Sequence, residues 1–496
     1  MFRIAAAGGL AALCSHASVA LPSVLADHMV LQRGLPVHIW GHAAPSETVA
    51  VTFRGNTRSA TADDIGAWSV YLPPPDAGGP FELVVKGENT IALTDVMVGD
   101  VWVASGQSNM EFAVRNAVNG ATETANAKHP RIRLFHVRNK SSAVPLSDVE
   151  AKAWEPCSPD AAADFSAVAY FFGRDLAERT RVPIGLIDSS WGGTPVEAWM
   201  SLKALSSSAQ FMPAFALWWQ MIEDQPAALL RRAKVEKEWQ ENVARSKAEG
   251  RPEPGFPWQP NLGLSWMPGG LYNAMIAPLT PFPIAGVIWY QGESNATPER
   301  APLYAAMFET MIRDWRRAWA SGDFPFLFVQ LANYKTGPNA RWPELREAQT
   351  QTLSLVNTGM AVTIDIGDPA DIHPRNKQEV GRRLALAARV LTYGEKIEFS
   401  GPLFRTAAPE GSAMRVWFDH AGSGLEARGG PLKGFEAAGA DRKFAPADAR
   451  IEGATVTVSS ASIPNPVFVR YAWADNPDCN LYNREGLPAL PFRSRE

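Results

Sequence analysis

Apolar and polar positions alternate in short segments from Leu21 to about Thr94. Val37 to Trp40, Val49 to Phe53 and Phe81 to Val85 each follow the period of two that a half-buried strand requires. Clusters of Gly, Pro, Asn and Asp separate them, including Pro73 to Pro80, and strands at this spacing predict a small sandwich-like β domain over residues 21–94. From about Asp95 to Glu395 the rhythm changes. Near-continuous apolar runs at 96–104, 132–137, 184–188, 286–290, 326–331 and 361–366 alternate with helical patterns at 167–180, 299–320, 343–355 and 376–393. Strands buried on both faces and separated by helices predict an α/β domain over 95–395, a parallel sheet covered by helices, with functional residues at the carboxyl ends of the strands. An insertion at about 202–266 interrupts it. The charged half, Leu229 to Glu249, reads as a solvated helix face, and the aromatic flanks Phe211 to Trp219 and Phe256 to Trp258 are candidates for the border of a substrate cleft. Period-two alternation returns after Lys396, at Met414 to Phe418, Thr455 to Val458 and Val467 to Tyr471, and predicts a β-rich region over 396–496.

Composition narrows the partners. The 496 residues are 46% hydrophobic and 20% charged, a folded composition with length for more than one domain. A formal net charge of −4 gives no basic excess, which argues against nucleic acid or an anionic membrane surface. Arg3, the apolar Ala-rich stretch to Leu13 and the small residues Ser18-Val19-Ala20 have the layout of a secretory signal over residues 1–20. Cleavage is expected after Ala20, leaving the mature chain secreted or periplasmic; Leu13 before Cys14 does not suit lipoprotein processing. No later apolar run is long enough to span a bilayer. Cys157 and Cys479 then remain, either as one disulfide or as two separate thiols.

The candidate chemistry starts at Ser108. It follows the apolar run that ends at Ala104 and is flanked by Gly106-Gln107 and Asn109-Met110, the layout of a nucleophile on a strand-to-helix turn. Alone, Gly-Gln-Ser-Asn reads as an ordinary turn or helix cap sooner than as a nucleophile. A second block changes this. Gly367-Asp368-Pro369-Ala370-Asp371-Ile372-His373-Pro374 follows another strand-like run and supplies a histidine with two acids close by. Acyl transfer needs a nucleophile, a base, a group orienting the base and donors facing the oxyanion. Ser108, His373, and Asp371 or Asp368 fill the first three roles. The backbone N–H groups of Ser108 and Gly193, with the side-chain amides of Gln291 or Asn295, are candidates for the fourth. The other histidines lack metal-ligand spacing, so no metal is expected.

Two rival readings use the same region. Ser294 in Gly292-Glu293-Ser294-Asn295-Ala296 approximates the nucleophile elbow of α/β-hydrolases, although the fifth position is Ala and no helix follows at once. Glu293 with Asp365 or Asp368 would be the acid pair of a glycoside hydrolase, a reading that leaves Ser108 and His373 without a role.

Four blocks taken together, Gly106 to Met110, Trp191 to Trp199, Trp289 to Asn295 and Asp371 to Pro374, resemble the sialate O-acetylesterase family of SGNH-type hydrolases. The likeness extends from Val30-Leu31-Gln32 to Val469-Arg470-Tyr471-Ala472-Trp473. It implies a flavodoxin-like three-layer α/β/α hydrolase domain with accessory β-rich regions at both ends. It also implies a serine esterase that removes O-acetyl groups from sugars without a cofactor, with Ser108 as nucleophile and His373 as base. Two departures stand out: Gln107 replaces the acid of Gly-Asp-Ser, and Asp371-Ile372-His373 shortens the usual Asp-x-x-His spacing by one. Residues two apart share a face in extended chain, which favours Asp371 over Asp368. The resemblance leaves acetylated sialic acid and acetylated polysaccharide such as xylan both open as substrate. A sialic acid pocket would place an arginine on the carboxylate, for which Arg115, Arg346 and Arg375 are candidates.

Overall fold

Strand β1, Thr90–Gly106, runs for 17 residues and belongs to two layers at once. In this computed structural model, which describes residues 18–255 and 264–494, its first part pairs antiparallel with Gly78–Lys86 in the N-terminal sheet. Its second part lies at the centre of a parallel sheet. The boundary expected near residue 94 therefore falls inside a continuous strand, because the apolar run from Val96 onward is buried without interruption to Gly106. Most of the segment expected to be a secretory signal and the Phe256 to Trp258 flank lie outside the described residues. Val19 and Ala20 do not: Val19 is buried, its backbone is bonded to the Asn89 side chain, and Ala20 forms a bridge with His42.

The central sheet continues with β2 (His129–His136), β3 (Glu155–Cys157), β4 (Ile184–Ser190), β5 (Gly286–Tyr290), β6 (Phe326–Val329) and β7 (Thr358–Ala361). Their spatial order is β7-β6-β5-β1-β4-β2-β3, all parallel except the short edge strand β3. On one side β2 and β3 take the outer places and β4 returns to lie beside β1; β5, β6 and β7 then build outward on the other side, so the order reverses beside β1, where open α/β sheets hold their ligands. The last strand starts at Thr358 and ends at Ala361, not over 361–366 as the apolar run predicted. Its partner β6 stops at Val329, and beyond that level Val362 and Thr363 are buried with no ladder to join.

Helices cover both faces: α1 (Ser108–Glu111), α2 (Ala167–Thr180), α3 (Met212–Glu223), α4 (Gln225–Ala248), α5 (Ala301–Trp319), α6 (Trp342–Gln351) and α7 (Lys377–Leu391). Strand β6 shows the layering. Phe326 and Phe328 meet Phe308 of α5 with ring centroids 6.0 and 5.1 Å apart, while Leu327 points to the opposite face, beside Ala387 and Leu391 of α7. This is the expected α/β/α arrangement. Helices α3 and α4 form the insertion, and in α4 only Ser246 is buried, in keeping with a solvated charged face.

Small antiparallel sheets follow, one of Leu403–Glu410, Ala413–Asp419, Thr455–Ser459 and Asp448–Glu452, another around Phe435–Ala438 and Phe468–Tyr471. Arg346 of α6 attaches them to the α/β/α layers. It is fully buried and donates to the carbonyls of Leu331, Ala332, Ala474 and Asp475 at 2.7–2.9 Å. That use removes Arg346 as a candidate for a substrate carboxylate. Cys157 and Cys479 are both free thiols.

Candidate active site

Three strands reach one level at Gly106, Ser190 and Tyr290, which stand opposite each other in the ladder. The loops that leave this level build the site. Gly106 takes a φ of +134°, and a Cβ there would sit 2.2 Å from the carbonyl oxygen of Tyr290, so only glycine permits the approach of β1 to β5. Gln107 is buried. Its N–H donates to the Tyr290 carbonyl at 2.9 Å, and its Oε1 accepts from the N–H groups of Gly292 and Ser294 at 3.4 and 3.3 Å. The residue in the place of the usual acid thus ties the turn after β1 to the turn after β5. Ser108 then opens α1 and projects from the sheet.

His373 arrives from the loop between β7 and α7. Asp371 Oδ1 accepts from the His373 N–H at 2.9 Å, Asn109 Nδ2 donates to the Ile372 carbonyl at 3.0 Å, and Arg375 Nε donates to the Asn116 carbonyl at 2.8 Å. Held this way, His373 Nε2 lies 2.9 Å from Ser108 Oγ, hydrogen-bond distance across 265 residues of sequence. Burial, with Lys377 nearby, keeps the imidazole below the ordinary histidine range, and Asp371 partly offsets this. Asp371 Oδ1 is 3.7 Å from His373 Nδ1 with its side chain 54% exposed, a contact longer than a hydrogen bond. Asp368 instead caps the Ala370 N–H at 2.8 Å and makes no contact with the ring.

The loop after β4 carries the expected oxyanion donors. The Gly192 N–H is already bonded to Glu111 Oε2 at 2.7 Å, whereas the N–H groups of Ser108 and Gly193 have no hydrogen-bond partner among the described residues. Gly193 has a φ of +70° and open space where a Cβ would stand. Gln291 and Asn295 differ from the expectation that their amides face the oxyanion. Gln291 Nε2 donates to the Thr194 carbonyl at 3.1 Å and to Asn295 Oδ1 at 2.7 Å, which uses both of its hydrogens. Asn295 accepts from the Val196 N–H at 2.9 Å and donates to Glu197 Oε2 at 2.9 Å, and both residues are fully buried. They hold the 191–199 loop from beneath, because buried amides satisfy the backbone around them before they serve a ligand.

The rival assignments come apart in the same geometry. Ser294 lies in a single turn, Glu293–Asn295, with the next helix delayed to Ala301, and the histidine bonds Ser108 instead. Glu293 Oε1 accepts from Asn109 Nδ2 at 2.6 Å, and Asp365 is held by Arg383 at 2.7 and 2.8 Å, so neither is free to flank a sugar bond. Arg115 is paired with Asp164, and Arg375 is spent on the Asn116 carbonyl. Sequence reasoning missed Glu111, Asn109 and Lys377. The signal for Asn109 was its place beside the nucleophile, and that for Glu111 was its position one turn later on the same helix.

Residues 98–230 and 258–390 match the family described as carbohydrate esterase, sialic acid-specific acetylesterase. The chain is 32% identical to rat sialate O-acetylesterase over 95% of its own length and 94% of the relative's. It is 32% identical to the human sialate O-acetylesterase over 95% of this chain and 91% of that one. A crystal structure of a carbohydrate acetylesterase from Xanthomonas citri superposes with a TM-score of 0.83 at 41% identity, covering 96% of this chain and 99% of that chain. With a serine, a histidine and two unbonded N–H groups gathered where the parallel sheet reverses its order, the chain belongs to the sialate O-acetylesterase family of carbohydrate esterases.

Proposed function

We propose that Ser108 attacks the acetyl carbonyl of an O-acetylated sugar and that His373 accepts its proton through Nε2. The observation that carries this reading is the 2.9 Å contact between His373 Nε2 and Ser108 Oγ. As the tetrahedral intermediate forms, its oxyanion meets the N–H groups of Ser108 and Gly193, donors not committed elsewhere among the described residues. His373 then returns the proton to the departing sugar hydroxyl, and water repeats the sequence to free acetate. Asp371 orients the ring through the loop it closes and through its charge, more weakly than a buried, bonded acid would.

The sugar is an O-acetylated sialic acid in this reading, supported by full-length similarity to relatives that carry that name. The chain acts after export, a proposal that rests on the composition of its first twenty residues. Acetate release from O-acetylated sialic acid, measured beside acetylated xylan and an aryl glycoside, tests the substrate. Release from the sialic acid at the higher kcat/KM supports it; preference for xylan moves the assignment to polysaccharides. Glycoside cleavage without acetate release overturns the esterase mechanism.

A further inference from the structure

Beneath Ser108 and His373 lies a chain of polar groups that the acyl-transfer steps leave unused. Lys377 opens α7 four residues after His373, and it is fully buried. Its ammonium donates to Asn109 Oδ1 and lies over the rings of Phe112 and Tyr290, 4.9 and 5.2 Å from their centroids. Asn109 donates from Nδ2 both to Glu293 Oε1 and to the Ile372 carbonyl, at 2.6 and 3.0 Å. The second carboxyl oxygen of Glu293 is buried with no hydrogen-bond partner among the described residues. Taking an ammonium and a carboxyl out of water is unfavourable, and a packed apolar pair often serves stability as well. The placement of this chain is therefore informative. Asn109 directly follows the nucleophile, and Ile372 directly precedes the base.

We propose that Lys377, Asn109 and Glu293 form a positioning chain that locks the His373 loop onto the nucleophile turn and opposes protonation of the imidazole. The proposal rests on the assignment of Ser108 and His373 made above. The charged groups that face His373 are Lys377 from α7 and Asp371 from its own loop, and only Lys377 works against a proton on the ring. Glu293, from the turn after β5, acts on Lys377. Burial pushes the Lys377 ammonium down to about 7, with Glu293 and Asp371 pulling it back up, and burial raises the Glu293 carboxyl. The Lys377 charge opposes a second positive charge on the imidazole, so its removal should make the ring easier to protonate.

Three variants in the full chain test this, read as kcat and kcat/KM against pH with a thermal melt for each. Lys377→Gln keeps a donor for Asn109 and removes the charge, so the acid limb of kcat/KM should move up by roughly 0.5 to 1 pH unit. Glu293→Gln removes the carboxyl that helps Lys377 keep its proton, so the limb should move up, by no more than it does in Lys377→Gln. Asn109→Ala cuts the bridge to Ile372 and should lower kcat by roughly 10- to 100-fold with KM within about threefold. A folded Lys377→Gln with lowered activity and an unmoved limb marks a merely structural lysine and overturns the proposal. Should Lys377→Gln fail to fold, Asn109→Ala decides, and wild-type kcat in that variant overturns the chain. Failure of the underlying assignment looks different: Ser108→Ala or His373→Ala would then stay active, whatever the Lys377 variant does.

Discussion

His373 is the residue on which pH dependence turns. Its imidazole must be neutral to accept the Ser108 proton, and burial, aided by Lys377, lowers its affinity for protons. The sign follows directly. Activity is lost as pH falls through the histidine pKa, so kcat/KM should rise with pH through a midpoint below the ordinary histidine value of about 6.5. A midpoint above that value would contradict the burial of the ring. The two nearby acids separate as well. Asp371→Asn should lower kcat by roughly 10- to 100-fold, less than loss of a buried triad acid, and Asp368→Asn by no more than about threefold. Equal effects, or a larger one at Asp368, would reassign the orienting group. At this scale the sequence was informative for Ser108, which directly follows an apolar strand, and for His373 through the acids beside it, although the last strand ends twelve residues earlier, at Ala361. It misled at Gln291 and Asn295, because motif position says nothing about which way an amide donates.

At the scale of elements, the site depends on how closely strands approach at their carboxyl ends. Gly106 allows the turn after β1 to lie against Tyr290, and a Cβ at 2.2 Å from a backbone oxygen cannot be relieved by a rotamer change. Gly106→Ala should displace Ser108 and lower kcat by roughly 100-fold or more in whatever fraction folds. Wild-type turnover would contradict the geometry. The 167–180 helix was legible to the residue, since its apolar stripe begins at a capping serine, Ser166, whose hydroxyl accepts from the Ala169 N–H. The final strand was displaced because an apolar run records burial, and Val362 to Ile364 are buried without being paired.

On the scale of the whole molecule, the three predicted regions are joined more tightly than their rhythms imply. Strand β1 is common to the N-terminal sheet and the catalytic sheet, and Arg346 bonds the C-terminal sheets to the carboxyl end of β6. Neither link was legible in the sequence, because the change from alternation over residues 90–95 to a continuous apolar run from Val96 reads as a domain boundary and a buried arginine reads as a surface residue. The same reasoning bears on the mature terminus. Cleavage after Ala20 would remove the buried Val19 and the bridge from Ala20 to His42. If a leader is removed as proposed, N-terminal sequencing of the processed protein should therefore find a start at or before Val19. A start at Leu21 would mean that these contacts are dispensable.

Which serine carries the acyl group decides between the two possible nucleophile turns. A serine-directed phosphonate, read by peptide mass spectrometry, should label Ser108. Ser108→Ala should be folded with kcat lowered on the order of 10⁴- to 10⁶-fold, while Ser294→Ala should keep activity within roughly 10- to 100-fold. Labelling at Ser294 with Ser108→Ala still active would contradict the central claim and place the nucleophile on the turn after β5.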